Sequence, residues 1–161
     1  MPIKVGDKMP SGTLTLATAD GPQKVSADDY FKGKKVVLFS LPGAFTPTCD
    51  AKHLPGFVEK AADIKKKGVA TIACLSVNDA FVMKAWGKAQ STDGKVDMLA
   101  DGNGDYTKAL GLELDATGFG MGMRGQRFSL IVDNGVVKQV NIEESGKFDV
   151  SNAETMLKQL A

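Results

Sequence analysis

The sequence predicts an α/β fold in which helices cover both faces of a mixed β-sheet. Strand-type and helix-type segments alternate along the chain. Two of the strand segments are continuous apolar runs, which are typical of strands buried on both faces of a sheet. An Asn-Gly pair at residues 134–135 is typical of a β-hairpin. Because the 161 residues contain no repeat, low-complexity tract or long linker, we expect a single domain over residues 1–161.

The first elements are a strand, a short helix and a second strand. Residues 12–16 alternate between apolar and polar side chains, which is the period of a half-buried strand. Ser26 is placed as the N-cap of a helix that ends before Gly33. The apolar run at residues 34–41 predicts a strand buried on both faces, and Pro42 ends it.

A longer helix and another buried strand follow. The helix is expected to start near residues 46–48 and to run to Lys67, because Gly68 is a typical stop signal. Pro55 must kink or interrupt this helix, since proline has no N–H to donate. The apolar run at residues 69–77 predicts the next strand.

The remaining elements complete the sheet and its cover. They are a helix over residues 80–90 capped by Asn78 or Asp79, a strand over 95–100, a short helix over 105–110, a glycine-rich loop over 111–126, a hairpin over 127–143, and a closing helix over 151–160 capped by Ser151. This order of strands and helices is typical of the thioredoxin-like fold class.

Charge and composition exclude several classes of function. Lys and Arg number 20 and Asp and Glu number 19, so we expect no nucleic-acid partner and no membrane partner. The N-terminus has no apolar segment typical of a secretory signal, and we expect a cytoplasmic protein, although a removed organelle transit peptide would leave no trace. Two cysteines are too few for a disulfide scaffold, which favours a reactive thiol.

The two cysteines lie in different predicted surroundings. Cys49 follows a buried strand and falls in the first turn of a helix, where unpaired N–H groups and the helix dipole favour a thiolate. An ordinary small buried residue is the other interpretation of Cys49. Cys74 lies in the middle of a predicted strand, where we expect a packed and inert thiol.

The segment "PGAFTPTC" places Pro42, Thr46 and Cys49 at the spacing P-x-x-x-T-x-x-C. This segment resembles the active-site motif of the peroxiredoxins. The longer strings "PGAFTPTCDAKHLPGF", "PIKVGDKMP", "CLSVNDAFVMKAW" and "RGQRFSLIVDNG" are similar to the type-five peroxiredoxin subfamily, which includes the plant type II enzymes. The resemblance covers nearly the whole chain.

The resemblance implies a peroxidase with a thioredoxin fold. Cys49 would attack hydrogen peroxide or an alkyl hydroperoxide and become a sulfenic acid, while water or an alcohol leaves. The Thr46 hydroxyl would hold the thiolate and the peroxide oxygen, or it would simply cap the helix. Pro42 would shield the thiolate from water, and it would also serve as a strand terminator.

The resemblance also implies a catalytic arginine and a tuning histidine. Arg127 precedes "FSLIV" and matches the catalytic arginine, whose charge would favour the thiolate and polarise the peroxide. Arg124 is a nearby rival, and without the resemblance Arg127 would be read as a surface residue. His53 lies four residues after Cys49 and would tune the thiolate or make a structural hydrogen bond.

The chain departs from the animal type-five enzymes, which use a third cysteine near the C-terminus. Val150 or Ser151 stands at that place. Cys74 matches a second cysteine of the subfamily, but a bridge between it and Cys49 would require local unfolding. One-cysteine-like turnover is therefore expected, with glutathione, glutaredoxin or thioredoxin as the reductant.

A homodimer is expected from apolar side chains in loops that should lie at the surface. These side chains are Phe45, Phe81, Phe119, Met121 and Met123. Related chains commonly pair through such loops beside the active site.

Other functions fit the sequence less well. The segment "GMGMRG" precedes a strand rather than a helix, which argues for a loop and against a dinucleotide site. No C-x-x-C motif is present, and two distant cysteines with one histidine are too few for zinc, so we expect no cofactor and no metal. Hydrolase chemistry by Cys49 and His53 lacks an orienting third residue. A redox sensor or chaperone-like binding module that uses the same thiol without turnover remains the alternative.

Overall fold

A computed structural model describes residues 1–160 and shows a seven-stranded mixed sheet. The strands are β1 (Thr13–Thr18), β2 (Gly21–Ser26), β3 (Lys35–Ser40), β4 (Thr71–Ser76), β5 (Asp97–Ala100), β6 (Glu113–Asp115), β7 (Met123–Gly125), β8 (Phe128–Asp133) and β9 (Val136–Ile142). The α-helices are α1 (Ala27–Phe31), α2 (Leu54–Glu59), α3 (Ala61–Lys65), α4 (Ala80–Ala89), α5 (Asp105–Ala109) and α6 (Ala153–Leu160). The main sheet has the order β2-β1-β5-β4-β3-β8-β9, and β6 and β7 form a separate pair.

The centre of the sheet is parallel and its two sides are antiparallel. β4 pairs in parallel with β3 and β5, whereas β8 pairs antiparallel with β3 and β1 pairs antiparallel with β5. The central strands are buried because their sequences are apolar on both faces. The predicted α/β class and mixed sheet are confirmed.

Alternate residues of β3 enter two separate hydrophobic cores. Val37 and Phe39 face a core built with α2, α3, α4 and α6. Val36 and Leu38 face the other core, which is built with α1 and α5. Since successive side chains of a strand point to opposite faces, helices cover both faces of the sheet as predicted.

The helical segment after β3 is irregular. Its first helical residues are 47–48, and a π-helical turn at Cys49–His53 comes before α2. In that turn the Leu54 N–H donates to the Cys49 carbonyl, five residues back. Pro55 follows directly, so the irregularity lies where proline was predicted to disturb the helix. A second break at Lys60 separates α2 from α3 and was not predicted.

One strand was not predicted from the sequence, and two predictions need correction. The polar segment 21–26 forms edge strand β2, which pairs with β1 and has no apolar pattern that would reveal it. The expected loop at 111–126 contains the short strands β6 and β7. Asn152, rather than Ser151, caps α6, because its Oδ1 accepts the Thr155 N–H at 2.8 Å while the Ser151 hydroxyl donates to Glu143.

The turn and cap chemistry elsewhere agrees with the sequence. Ser26 accepts the Asp29 N–H at 3.4 Å and caps α1. The hairpin of β8 and β9 turns at Asn134 and Gly135, whose φ angles of 50° and 79° suit a tight type I′ turn. Of the two candidate caps for α4, Asp79 performs the task by accepting the Val82 N–H at 2.8 Å.

Candidate active site

Cys49 lies near the start of the irregular helical segment, after the loop that follows β3. Its side chain is fully buried in the same core as Phe39 and Leu54. The antiparallel pairing of β3 with β8 aligns Ser40 with Phe128, so the end of β3 lies beside the start of β8. This register brings the residue before β8, Arg127, close to the helix that carries Cys49.

Arg127 contacts both Cys49 and His53. Its Nη2 donates to Cys49 Sγ at 3.1 Å, and its Nη1 donates to His53 Nδ1 at 2.8 Å. The aromatic ring of Phe148 lies 5.6 Å from the guanidinium carbon. A fixed positive charge that donates directly to the sulfur stabilises a thiolate more than a neutral thiol.

His53 is buried, and both of its ring nitrogens form hydrogen bonds. Because Nδ1 accepts from Arg127, the proton lies on Nε2, which donates to the Ser151 carbonyl at 3.0 Å. The rings of Phe39, Phe57 and Phe148 surround the imidazole, with centroids at 4.9–5.7 Å. Burial, together with the nearby charge of Arg127, lowers the pKa of His53 to about 3, so the ring is neutral near pH 7.

Thr46 and Pro42 lie on the loop before Cys49. The Thr46 hydroxyl donates to the Gly43 carbonyl at 2.7 Å, and within residues 1–160 no hydrogen bond joins it to Cys49. The Pro42 carbonyl accepts from Arg124 Nη1 at 3.2 Å. Arg124 therefore supports the loop, and Arg127 is the arginine that reaches the sulfur.

Cys74 lies within β4, where it pairs with Phe39 of β3 and Met98 of β5. Its side chain is fully buried, and burial raises the pKa of the Cys74 thiol well above its ordinary value. Both cysteines are free thiols. The two lie in the same core, but Cys74 is held in the middle of the sheet.

Two polar residues that the sequence did not single out for the site hold the Cys49 segment. Asn78 Oδ1 accepts the Ala44 N–H at 3.0 Å, beside Phe45, whose φ of 63° is unusual for a side chain of this size. Asp50 Oδ1 accepts from Trp86 Nε1 at 2.8 Å and so ties this segment to α4. Asn78 was expected only as a helix cap, and Asp50 carries no recognisable sequence signal.

A cavity of about 190 Å³ opens beside the cysteine loop. Its lining includes Pro42, Thr48, Leu114, Arg127 and Phe148. A larger cavity of about 620 Å³ lies between β1 and α4, and it is lined by none of the candidate site residues. The smaller cavity therefore lies next to Pro42 and Arg127, while Cys49 itself is buried behind them.

The fold and this site define a redoxin. The Redoxin family matches residues 4–157. Peroxiredoxin-2D and Peroxiredoxin-2B of Arabidopsis thaliana are each 51% identical over 160 residues, covering 99% of both chains. The chain therefore belongs to the peroxiredoxin family and is a thiol peroxidase, as the sequence resemblance implied.

Solved structures lead to the same family. Reduced Prx3 in complex with hydrogen peroxide from Vibrio vulnificus is 53% identical, with a TM-score of 0.94 and 99% coverage of both chains. The Plasmodium falciparum antioxidant protein, a 1-Cys peroxiredoxin, is 29% identical, with a TM-score of 0.90 and 98% coverage of both chains. Both likenesses extend over the whole fold rather than over the cysteine motif alone.

The compartment differs among the relatives. Peroxiredoxin-2E of Arabidopsis thaliana, which is chloroplastic, is 51% identical and is matched over 69% of its length. Within residues 1–160 no helix is long and apolar enough to cross a membrane. In the same range, no three His, Cys, Asp or Glu side chains are grouped to hold a metal ion.

Proposed function

We propose that Cys49 is the nucleophile that reduces hydrogen peroxide and alkyl hydroperoxides. The observation that carries this proposal is the 3.1 Å contact between Arg127 Nη2 and Cys49 Sγ. The thiolate attacks one peroxide oxygen, so an S–O bond forms as the O–O bond breaks. The other oxygen takes a proton and leaves as water or an alcohol, and Cys49 becomes a sulfenic acid.

Four neighbouring residues have supporting roles. Arg127 stabilises the thiolate and the negative charge that develops on the departing oxygen. The Thr46 hydroxyl donates a hydrogen bond to the Gly43 carbonyl, so the lone pairs of the Thr46 hydroxyl oxygen are oriented to accept the O–H of the peroxide. Pro42 lines the cavity and limits the access of water. The neutral His53 acts through Arg127, because its one N–H is already donated to the Ser151 carbonyl.

We propose that an external thiol reduces the sulfenic acid. Its sulfur attacks Cys49, a mixed disulfide forms and water leaves; a second thiol then restores Cys49 and departs as a disulfide. Cys74 is a poor internal alternative, because it is buried within β4 and burial raises the pKa of its thiol. Glutathione, glutaredoxin and thioredoxin are the candidate reductants.

We also propose a homodimer formed by three loops beside the active site, at residues 42–46, 78–81 and 114–123. Phe45, Phe81, Phe119 and Met123 are exposed, whereas Met121 is half-buried. The loops adjoin one another, because Ala44 donates to Asn78 and Arg124 donates to the Pro42 carbonyl. A group of exposed apolar side chains of this kind is typical of an interaction surface. One domain over the whole chain and a cytoplasmic location stay predictions.

The test is steady-state peroxide consumption with each thiol donor supplied in turn. Cys49→Ser should abolish turnover, and Cys74→Ser should retain most of it. Comparable losses in both variants would contradict the assignment of Cys49. If the wild-type protein oxidises at Cys49 but completes only one turnover with every donor, the sensor alternative is correct instead.

A further inference from the structure

Glu143 lies opposite Arg127 at the open end of the β8–β9 hairpin. Its backbone N–H donates to the Arg127 carbonyl at 3.0 Å, one pair beyond the Phe128–Ile142 pair of the sheet. The backbone positions of Glu143 and Arg127 are therefore coupled directly. Glu143 is a charged residue, yet it is only 8% exposed.

The Glu143 carboxylate accepts several hydrogen bonds from residues 149–151, the segment before α6. It accepts the backbone N–H groups of Asp149, Val150 and Ser151 at 2.8–2.9 Å, and the Ser151 hydroxyl at 2.7 Å. Burial opposes the ionisation of Glu143, but these hydrogen bonds outweigh it and lower the pKa of the carboxyl. An ionised carboxylate thus fixes the backbone of this segment at several points.

The fixed segment is the one that holds His53. The Ser151 carbonyl accepts from His53 Nε2 at 3.0 Å, and His53 Nδ1 accepts from Arg127 at 2.8 Å. The same guanidinium donates to Cys49 Sγ. A continuous series of hydrogen bonds therefore runs from Glu143 to the sulfur. Glu143 reaches the sulfur through these intermediates, and it also lines the cavity of about 190 Å³ beside the cysteine loop.

We propose that Glu143 is a positioning residue for Arg127, because it holds the Ser151 carbonyl against His53 and so fixes the orientation of the guanidinium at Cys49. This inference rests on the proposed role of Cys49 and Arg127. Without the carboxylate, three backbone N–H groups and one hydroxyl lose their acceptor, and the Ser151 carbonyl is free to move. His53 then loses the partner that fixes its ring, and Arg127 can turn away from the sulfur.

The main test is Glu143→Gln, which keeps the shape of the side chain but replaces an acceptor oxygen with a donor amide. The rate constant for reduced Cys49 with hydrogen peroxide is measured in a single turnover. It should fall about tenfold, the order expected for one lost charge-assisted hydrogen bond. Glu154→Gln, at the exposed start of α6, is the matched control and should react like wild type.

A second readout separates positioning from a purely structural role. His53 is the only histidine, so ¹⁵N labelling gives one pair of ring resonances. In Glu143→Gln the Nε2–H signal should shift and exchange faster with water. A variant with lower thermal stability but with an unchanged rate constant and an unchanged His53 spectrum would overturn the proposal. If Glu143→Gln does not fold, Glu143→Asp, with a shorter carboxylate, is judged by the same two readouts.

A double-mutant cycle tests the route of the effect. His53→Asn keeps a polar group near Arg127 but is too short to reach the Ser151 carbonyl. In that background Glu143→Gln should lower the rate constant little further, whereas a full additional tenfold loss would overturn the route through His53. A wild-type protein that does not reduce peroxide would refute the proposed function. Normal wild-type reduction with an unaffected Glu143→Gln would refute the positioning role alone.

Discussion

At the scale of single residues, Arg127 connects the sulfur to its polar surroundings. One N–H group contacts Cys49 Sγ, and another contacts His53 Nδ1. A guanidinium is planar and can serve two partners at fixed angles, whereas an ammonium is a compact point charge on a flexible stem. The geometry of Arg127 should therefore matter as much as its charge.

Arg127→Lys should lower the rate constant for peroxide reduction by about 100-fold, the order found when an oriented donor to developing negative charge is lost. Single-turnover kinetics with hydrogen peroxide measures this change. Arg124→Lys is the matched control, because Arg124 contacts backbone carbonyls of Pro42 and Met121, and its effect should be much smaller. Equal losses in the two variants would contradict the assignment of Arg127.

His53 should make folding stability depend on pH. Its pKa is lowered to about 3 in the folded chain, while an unfolded histidine titrates near about 6.5. As the pH falls below about 6.5, His53 takes up a proton in the unfolded chain but not in the folded chain. The free energy of unfolding therefore decreases as the pH drops. Between about pH 6.5 and 5 the free energy of unfolding should decrease by up to about 2 kcal/mol.

Urea unfolding at several pH values measures this dependence. His53→Gln should remove the decrease over that range, although it lowers stability at every pH. An unchanged slope in the variant would show that His53 titrates normally in the folded protein.

At the scale of elements, the segment that carries Cys49 is held by neighbours rather than by its own helix propensity. A π-helical turn precedes Pro55, and Phe45 has a left-handed backbone conformation. Asn78, at the end of β4, accepts the Ala44 N–H and the Ser76 hydroxyl. Loss of this amide would leave two donors without their partner.

Asn78→Ala should reduce the free energy of unfolding by about 1–3 kcal/mol and should also slow peroxide reduction. Asp79→Ala is the control from the adjacent position, because it removes only the cap of α4. The control should lose about 1 kcal/mol of stability but keep its rate constant. Denaturant unfolding measures the stability of both variants, and single-turnover kinetics measures their rate constants for peroxide reduction. Equal rate constants in the two variants would contradict the role of Asn78.

How well each element could be predicted follows from where its stabilisation originates. The runs that became β3 and β4 are apolar enough to identify buried strands, and Asn134–Gly135 identified the hairpin. Edge strand β2 is polar and is stabilised by its pairing with β1. This pairing cannot be recognised from the residues of β2 alone. Glu143 was missed because its partners are brought to it only when the chain after β9 returns toward the helices.

At the scale of the whole molecule, the exposed apolar loops lie beside the site. They come from the ends of β3 and β4 and from the β6–β7 region, so they are distant in sequence. The sheet brings them together, because β3 and β4 are adjacent and parallel and their carboxyl ends meet at one edge. A dimer formed through these loops would bury surface next to the Cys49 loop.

Phe119→Asp should convert the dimer to a monomer, because Phe119 is 85% exposed and a charge in an apolar interface is unfavourable. Sedimentation at high micromolar concentration measures the change. Val5→Asp is the control, because Val5 is exposed but lies outside the three loops. Only monomer in the wild-type protein, or an equal effect of Val5→Asp, would contradict the proposed interface.

Peroxide should convert Cys49 to a sulfenic acid that an external thiol resolves. Mass spectrometry after one equivalent of hydrogen peroxide, without reductant, tests it most directly. We expect a sulfenic acid at Cys49 that dimedone traps, and a mixed disulfide at Cys49 once glutathione is added. Rapid and nearly complete formation of an intramolecular Cys49–Cys74 disulfide would contradict it.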